Sequence, residues 1–339
     1  MAWTRETGIH PLGDLSLQSG RVLKNAKLGW TTHGTLRPAK DNVIVYSTSY
    51  SAQAADLEWL IGPNGILDPT RWFIIIVNAF GNGLSSSPSN DPNYPDLVTA
   101  WDGVQAQRRL LTEQFGIDRI ACAYGWSMGG QMAYHWAAAF PDAVRNIVVN
   151  CGSARTAIHN QVFLAGLMSI LEAAPEHDGK GRFRAPPKAA QRAFARMYAG
   201  WGLSQDFYRA GLHLTLPPNA TTLEEFLRVH WDERFGARDA ADLYSQLRTW
   251  HASDISNNSL YGGDLEKALR AIRARVLLMP GETDLYFRVA DNEAEKRFLV
   301  SAELVPIPSI WGHRAGNPAQ NPPDAAFIRH TVRRFLAAS

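Results

Sequence analysis

Two hydrophobic rhythms alternate along the chain. Asn42 to Ser47 and Trp72 to Asn78 are short runs without polar alternation, and Arg119 to Tyr124 and Val144 to Asn150 read the same way. Such runs predict strands buried on both faces. Between them lie segments of helical spacing, Val98 to Phe115, which ends at Gly116, and Met128 to Ala139. A hairpin-like stretch, Arg21 to Thr35, precedes them. Doubly buried strands joined by helices predict an α/β class, a mostly parallel central sheet with helices on both faces.

The pattern breaks from about Arg155 to Asp254, where the chain is helical, rich in aromatic residues and arginines, and without a strand. Alternation resumes with a strand at Arg275 to Met279, then Arg288 to Leu299, Ala302 to Ile307 and a last helix from Asp324 to Leu336. The expected organisation is therefore a core in two parts, residues 1–153 and 261–339, interrupted by a helical cap at residues 154–260. An inserted cap shapes a substrate pocket or serves dimerisation, so a homodimer through the cap is an expectation. The cap arginines read as a solvated face rather than a carboxylate clamp. No repeat period or low-complexity segment interrupts this reading.

Composition narrows the class. The chain has 339 residues, 45% of them hydrophobic and 19% charged, enough apolar surface to exclude disorder as the main state. A formal charge of +2 without a basic run argues against a nucleic-acid partner. No apolar stretch approaches the ~20 residues of a membrane span, so no membrane partner is expected. Cys122 and Cys151 both sit in strand-like segments and read as small buried hydrophobes, not as a disulfide framework. The stretch from Met1 to Thr7 lacks the apolar core of a secretion signal, which makes a reducing cytoplasm the expected location.

The chemistry centres on Gly125-Trp126-Ser127-Met128-Gly129-Gly130, between a predicted strand and a predicted helix. A serine at such a turn projects its hydroxyl above the sheet edge, and flanking glycines admit the close approach of strand and helix. A serine hydroxyl needs a base to become a nucleophile, and the base needs an acid to orient it. In a parallel sheet these belong in loops after later strands, in the order serine, acid, histidine. Asp284 follows the strand ending at Met279, with Glu282 of the same loop as the alternative. Asp254 is weaker because no strand precedes it.

His313, after Val305 to Ser309, supplies the base. His135 lies too far along the helix behind Ser127 at ~1.5 Å rise per residue. His159, His177, His213, His230 and His251 fall in the insertion, where one of them could contact substrate; His10, His33 and His330 lie outside the candidate loops. The expected oxyanion donors are the N–H groups of Met128 and of Ser49, with Tyr50 close behind. Tyr50, Trp126 and Arg314 are candidate substrate-binding residues. No metal-ligand spacing or phosphate-binding glycine loop is present, so no cofactor is expected. A serine nucleophile argues against haloalkane or epoxide chemistry, and the intact set argues against a non-catalytic scaffold.

These residues resemble the α/β-hydrolase superfamily and, within it, the homoserine O-acetyltransferase-like family. The resemblance rests on Gly125 to Gln131, continuing to Ala133 and Trp136-Ala137, with support from the Asn78-to-Pro88 loop, Gly281 to Asp284 and Gly312-His313. It implies an α/β-hydrolase fold, a triad of Ser127, Asp284 and His313, and transfer of an acetyl group from acetyl-CoA to the homoserine hydroxyl. The transferases follow the histidine with an aspartate that helps hold the substrate amine, whereas this chain has Arg314. A cation there repels an ammonium group and favours a neutral or anionic ligand. Hydrolysis of small acyl esters through an acyl-enzyme is therefore the first expectation, and acetyl transfer from acetyl-CoA to homoserine or a related hydroxyl the alternative.

Overall fold

The computed structural model describes residues 3–338. Met1 and Ala2, which begin the stretch read for a secretion signal, and Ser339 lie outside the described residues. Eight strands form one sheet: β1 (Arg5–Ser16), β2 (Val22–His33), β3 (Val43–Ser47), β4 (Phe73–Val77), β5 (Ile120–Trp126), β6 (Val144–Asn150), β7 (Arg275–Met279) and β8 (Ala302–Leu304). Their order is β1-β2-β4-β3-β5-β6-β7-β8. The β1–β2 and β2–β4 pairs are antiparallel, and every pair from β4 to β8 is parallel.

The period of two decides what each strand packs against. Val43 and Val45 of β3, Ile75 and Val77 of β4, and Val276 and Leu278 of β7 join one core. Their neighbours Ile44, Tyr46, Ile74, Ile76, Leu277 and Met279 join another on the opposite face. Helices α1 (Ala100–Phe115) and α2 (Met128–Ala139) pack into the first core. Thr99 and Asp102 cap α1 reciprocally, and Gly116 ends it in the left-handed conformation at φ 61°.

Between β6 and β7 the chain forms helices, the largest being α3 (Ile158–Glu172), α4 (Lys188–Gly202) and, after the short α5 (Gln205–Arg209), α6 (Leu223–Leu227) and α7 (Glu233–Gly236), α8 (Ala240–His251). Their apolar faces meet in a third, aromatic-rich cluster that includes Phe163, Phe194, Tyr198, Trp231, Phe235 and Trp250, and also Tyr50, Met128 and Tyr286 from the sheet side. The helical segment is thus fastened directly over the loops at the strand ends. Then α9 (Leu265–Arg270), α10 (Val289–Lys296) and α11 (Pro322–Ala337) complete the order. Ile328, Val332 and Phe335 of α11 pack into the second core.

Three predicted boundaries are corrected. The opening hairpin starts at Arg5, because β1 is a half-exposed edge strand whose polar residues, Pro11 and register shifts near Gly13 conceal it. The first long helix starts at Ala100, two residues after the expected Val98, because Thr99 takes the capping position. The strand expected to reach Ile307 stops at Leu304, with only a single bridge from Gly281 to Ile307 beyond it. Pro306 and Pro308 bring no N–H to the ladder there.

Candidate active site

Ser127 stands between β5 and α2 with φ 60° and ψ −129°, a conformation that L residues rarely adopt. Two glycines make the turn possible. A Cβ on Gly125 would stand 1.9 Å from the Gly129 carbonyl oxygen, and one on Gly129 would stand 2.5 Å from that of Ser47. The strain is held by the Ser127 N–H donating to Asn150 O at 2.9 Å, and by Ser127 O accepting from Gly130 N at 2.8 Å.

The loops after β7 and β8 bring two partners to this serine. His313 Nε2 lies 2.8 Å from Ser127 Oγ, and His313 Nδ1 lies 2.7 Å from Asp284 Oδ2. A carboxylate oxygen only accepts, so Nδ1 carries the proton and Nε2 is left to accept from the serine hydroxyl. The other carboxylate oxygen, Asp284 Oδ1, accepts from the N–H groups of Tyr286 at 2.8 Å and Phe287 at 3.2 Å, which fixes the plane of the acid. Thr283 ties the two loops together, donating through Oγ1 to Ser309 O and accepting from Gly312 N. All three residues are buried, Ser127 at 2%, His313 at 3% and Asp284 at 5% exposure. Glu282 is exposed and is not brought to the serine.

Aromatic rings hold the imidazole. Trp126 stacks on it at 5.1 Å, Tyr286 meets it edge-on at 4.7 Å, and Trp126 Nε1 donates to His313 O. Among the described residues the N–H groups of Ser49, Tyr50 and Met128 find no protein acceptor, and Ser49 and Tyr50 line the cavity above Ser127. Ser49 is anchored by its Oγ donating to Trp126 O at 2.7 Å, while the Tyr50 hydroxyl donates to Leu243 O across the cap.

The cavity is narrow, about 50 Å³, and its walls come from both parts of the chain. Tyr50, Trp126 and Arg314, expected from the sequence, line it together with Tyr198, Trp231, Arg234 and Phe235 of the cap. Of the cap histidines only His230 lines it, and burial lowers its pKa. His135 is buried against Ser253 with its pKa pushed down to about 4 by burial, away from the serine. Burial also holds the Arg314 guanidinium down to about 10, helped by the nearby charge of Arg234.

Cys151 is the unexpected neighbour. Its sulfur lies within 4.8 Å of the ligand atoms of Asp284 and His313, a grouping of metal-ligand type. Burial pushes the thiol well above its ordinary range, and the Asp284 and His313 atoms are already bonded to each other, so the donor set suits packing rather than a metal.

Sequence reasoning did not reach Arg234, Phe235, Tyr198 or the Tyr286 and Phe287 N–H donors. The last two had a local signal, since an aspartate followed by free N–H groups two and three residues on is an Asx-type turn. The cap residues had none, because their approach to Ser127 depends on how the helices fold back.

Residues 59–309 match a family model described as the alpha/beta hydrolase fold. Over 310 residues the chain is 34% identical to an ethyl acetate hydrolase of Pseudomonas veronii, covering 89% of this chain and 87% of that protein. It is 26% identical over 319 residues to a homoserine O-acetyltransferase of Cyclobacterium marinum, covering 89% of this chain and 88% of that protein. The solved structure of the acetyl esterase MekB superposes with a TM-score of 0.92 at 31% identity, covering 98% of this chain and 97% of that one. The chain belongs to the α/β-hydrolase family, in the group that holds both acyl-ester hydrolases and homoserine O-acyltransferases.

Proposed function

We propose that this protein hydrolyses small acyl esters, acetyl esters foremost, through an acyl-enzyme on Ser127. The observation that carries the reading is the hydrogen-bonded chain from Ser127 to His313 to Asp284 beneath a narrow cavity. Ser127 Oγ attacks the ester carbonyl carbon while His313 Nε2 takes its proton, and Asp284 holds the imidazole in the required tautomer and stabilises its charge. The N–H groups of Met128 and Ser49 receive the oxyanion. His313 then delivers the proton to the departing alkoxide, and water, deprotonated in turn by His313, releases the acid and frees Ser127. Tyr50, Trp126 and Arg314 line the substrate's place, and the narrow cavity supports a short acyl group. Residues 154–260 act as a cap that walls the pocket.

The names of the relatives support hydrolysis: over 89% of the chain or more, an ethyl acetate hydrolase and an acetyl esterase match at 34% and 31% identity, against 26% for the homoserine O-acetyltransferase of Cyclobacterium marinum. Arg314, where the transferases carry an amine-holding aspartate, points the same way. Our reading includes a cytoplasmic enzyme, and two copies pairing through the cap, where Ile158 and Val162 of α3 are 75% and 64% exposed. Among the described residues no helix is long and apolar enough to cross a membrane. A solution mass equal to the 37.5 kDa chain would contradict the pairing.

The test is acetyl release from a chromogenic acetyl ester and from acetyl-CoA, each with and without homoserine. Ester turnover indifferent to homoserine, with acetyl-CoA idle, is the expected result. CoA release that depends on homoserine would overturn hydrolysis in favour of transfer.

A further inference from the structure

The pocket carries a charge imbalance that ester hydrolysis alone leaves unused. Arg234 of α7 and Arg314, on the turn that bears His313, line the same cavity as Ser127. Among the described residues no aspartate or glutamate lines that cavity. Among the described residues neither guanidinium has a hydrogen-bonded or ion-paired partner; the Arg314 guanidinium lies 5.9 Å from the centroid of the Trp231 ring.

The surrounding arginines behave differently. Arg196 pairs with Glu224 at 2.6 Å and Asp232 at 2.9 Å, Arg228 with Glu233 at 2.6 Å, and Arg238 with Asp56 at 2.6 Å. These neighbouring acids are therefore already committed, whereas among the described residues Arg234 and Arg314, which face the pocket, have no acidic partner. Arg314 is half-buried and Arg234 is exposed at the cavity wall, and neighbours packed around each guanidinium hold its pKa below the ordinary range. Two like charges converging in such a site repel each other and lack full solvation. An anion between them relieves both costs at once. The planar guanidinium, with its fork of N–H donors, matches a carboxylate's two accepting oxygens. A carboxylate's flat shape also suits the narrow cavity, which Tyr198, Trp231 and Phe235 wall with rings.

We propose that Arg234 and Arg314 form a carboxylate-recognition end of the substrate pocket, so that the ester presented to Ser127 carries a carboxylate on its acyl or its alcohol part. This deepens the esterase reading and rests on it. The sequence reading took the cap arginines as a solvated face; Arg234 is itself exposed, and this proposal gives it a ligand there.

The test compares each charged ester with its neutral carboxamide. Monomethyl succinate against methyl succinamate places the charge on the acyl part; para-acetoxybenzoate against para-acetoxybenzamide places it on the alcohol part. Rates are measured on the native protein, and binding is measured by calorimetry on Ser127→Ala. In at least one pair the charged ester is expected to exceed its carboxamide by about tenfold or more in kcat/KM and in affinity. That ratio should collapse in both Arg234→Met and Arg314→Met, substitutions that keep length and apolar bulk. If Arg314→Met fails to fold, Arg234→Met decides alone. No charged preference in either pair, or one that survives the substitutions, overturns the proposal while leaving ester hydrolysis standing. Should the native protein turn over no ester, the esterase reading falls, and the binding ratio on Ser127→Ala still decides whether the arginines hold a carboxylate.

Discussion

Asp284 shows how much of the site rests on individual atoms. Its Oδ1 is claimed by the Tyr286 and Phe287 N–H groups, which leaves only Oδ2 for His313. In Asp284→Asn the amide carbonyl must take the Oδ1 place, because those two neighbours are donors. The amide NH₂ then faces His313 Nδ1, and the proton is forced onto Nε2, where it confronts the serine hydroxyl instead of accepting from it. A loss on the order of 10⁴-fold in kcat is expected, with the fold intact by circular dichroism. A loss below about tenfold would mean that the acid does not set the tautomer. Ser127 and Asp284 were legible from the sequence because each follows a run that announces itself as a buried strand, and His313 because it follows them in the order serine, acid, histidine, although the strand before it, β8, is short and only partly buried. Arg234 was not, since a lone arginine among many in a helical segment carries no local sign of the cavity it faces.

Strands and helices were legible in proportion to their burial. β6 and α2 fall where the apolar pattern put them, and β3 and β4 are buried at every position, with Ser47 at the end of β3 the one polar side chain in either. β1 was missed because an edge strand answers to solvent along one side, and its alternation is interrupted by bulges. Helix α10 carries Glu295 into the core. There Oε1 accepts from Ala154 N at 2.7 Å, and Oε2 accepts from Tyr134 OH at 2.9 Å and Asn292 Nδ2 at 3.0 Å, tying the exit of β6 to α2 and α10.

Burial raises the Glu295 pKa from 4.5 to about 7, against the opposing hydrogen bonds. Between those two values the folded state binds a proton that the unfolded state has released. Stability from this group is therefore lost as pH rises from 4.5 to about 7 and stays level above it. Measured by urea unfolding, the native protein should lose roughly 1–3 kcal/mol relative to Glu295→Gln on going from acid to alkaline conditions across that window. A gap between the two proteins that does not change with pH would refute the assignment.

The two-part core and the inserted helices divide the work of the molecule. The sheet and its loops hold Ser127, His313 and Asp284, while α4 and α7 bring Tyr198, Arg234 and Phe235 over them. In the function we propose, chemistry is set by the sheet loops, and selectivity by helices whose placement depends on long-range aromatic packing such as Tyr50 on Tyr198 at 5.8 Å. That division explains why a reaction class was readable from the sequence, whereas the place of Arg234 on the pocket wall was visible only in the assembled fold. The account as a whole stands on an acyl group passing through Ser127, and the direct measurement is rapid-quench mass spectrometry of the protein mixed with para-nitrophenyl acetate. It predicts an acetyl adduct on the peptide bearing Ser127, formed and lost at rates that match turnover, and absent together with turnover in Ser127→Ala. An adduct on another residue, or turnover that persists in Ser127→Ala, would contradict it.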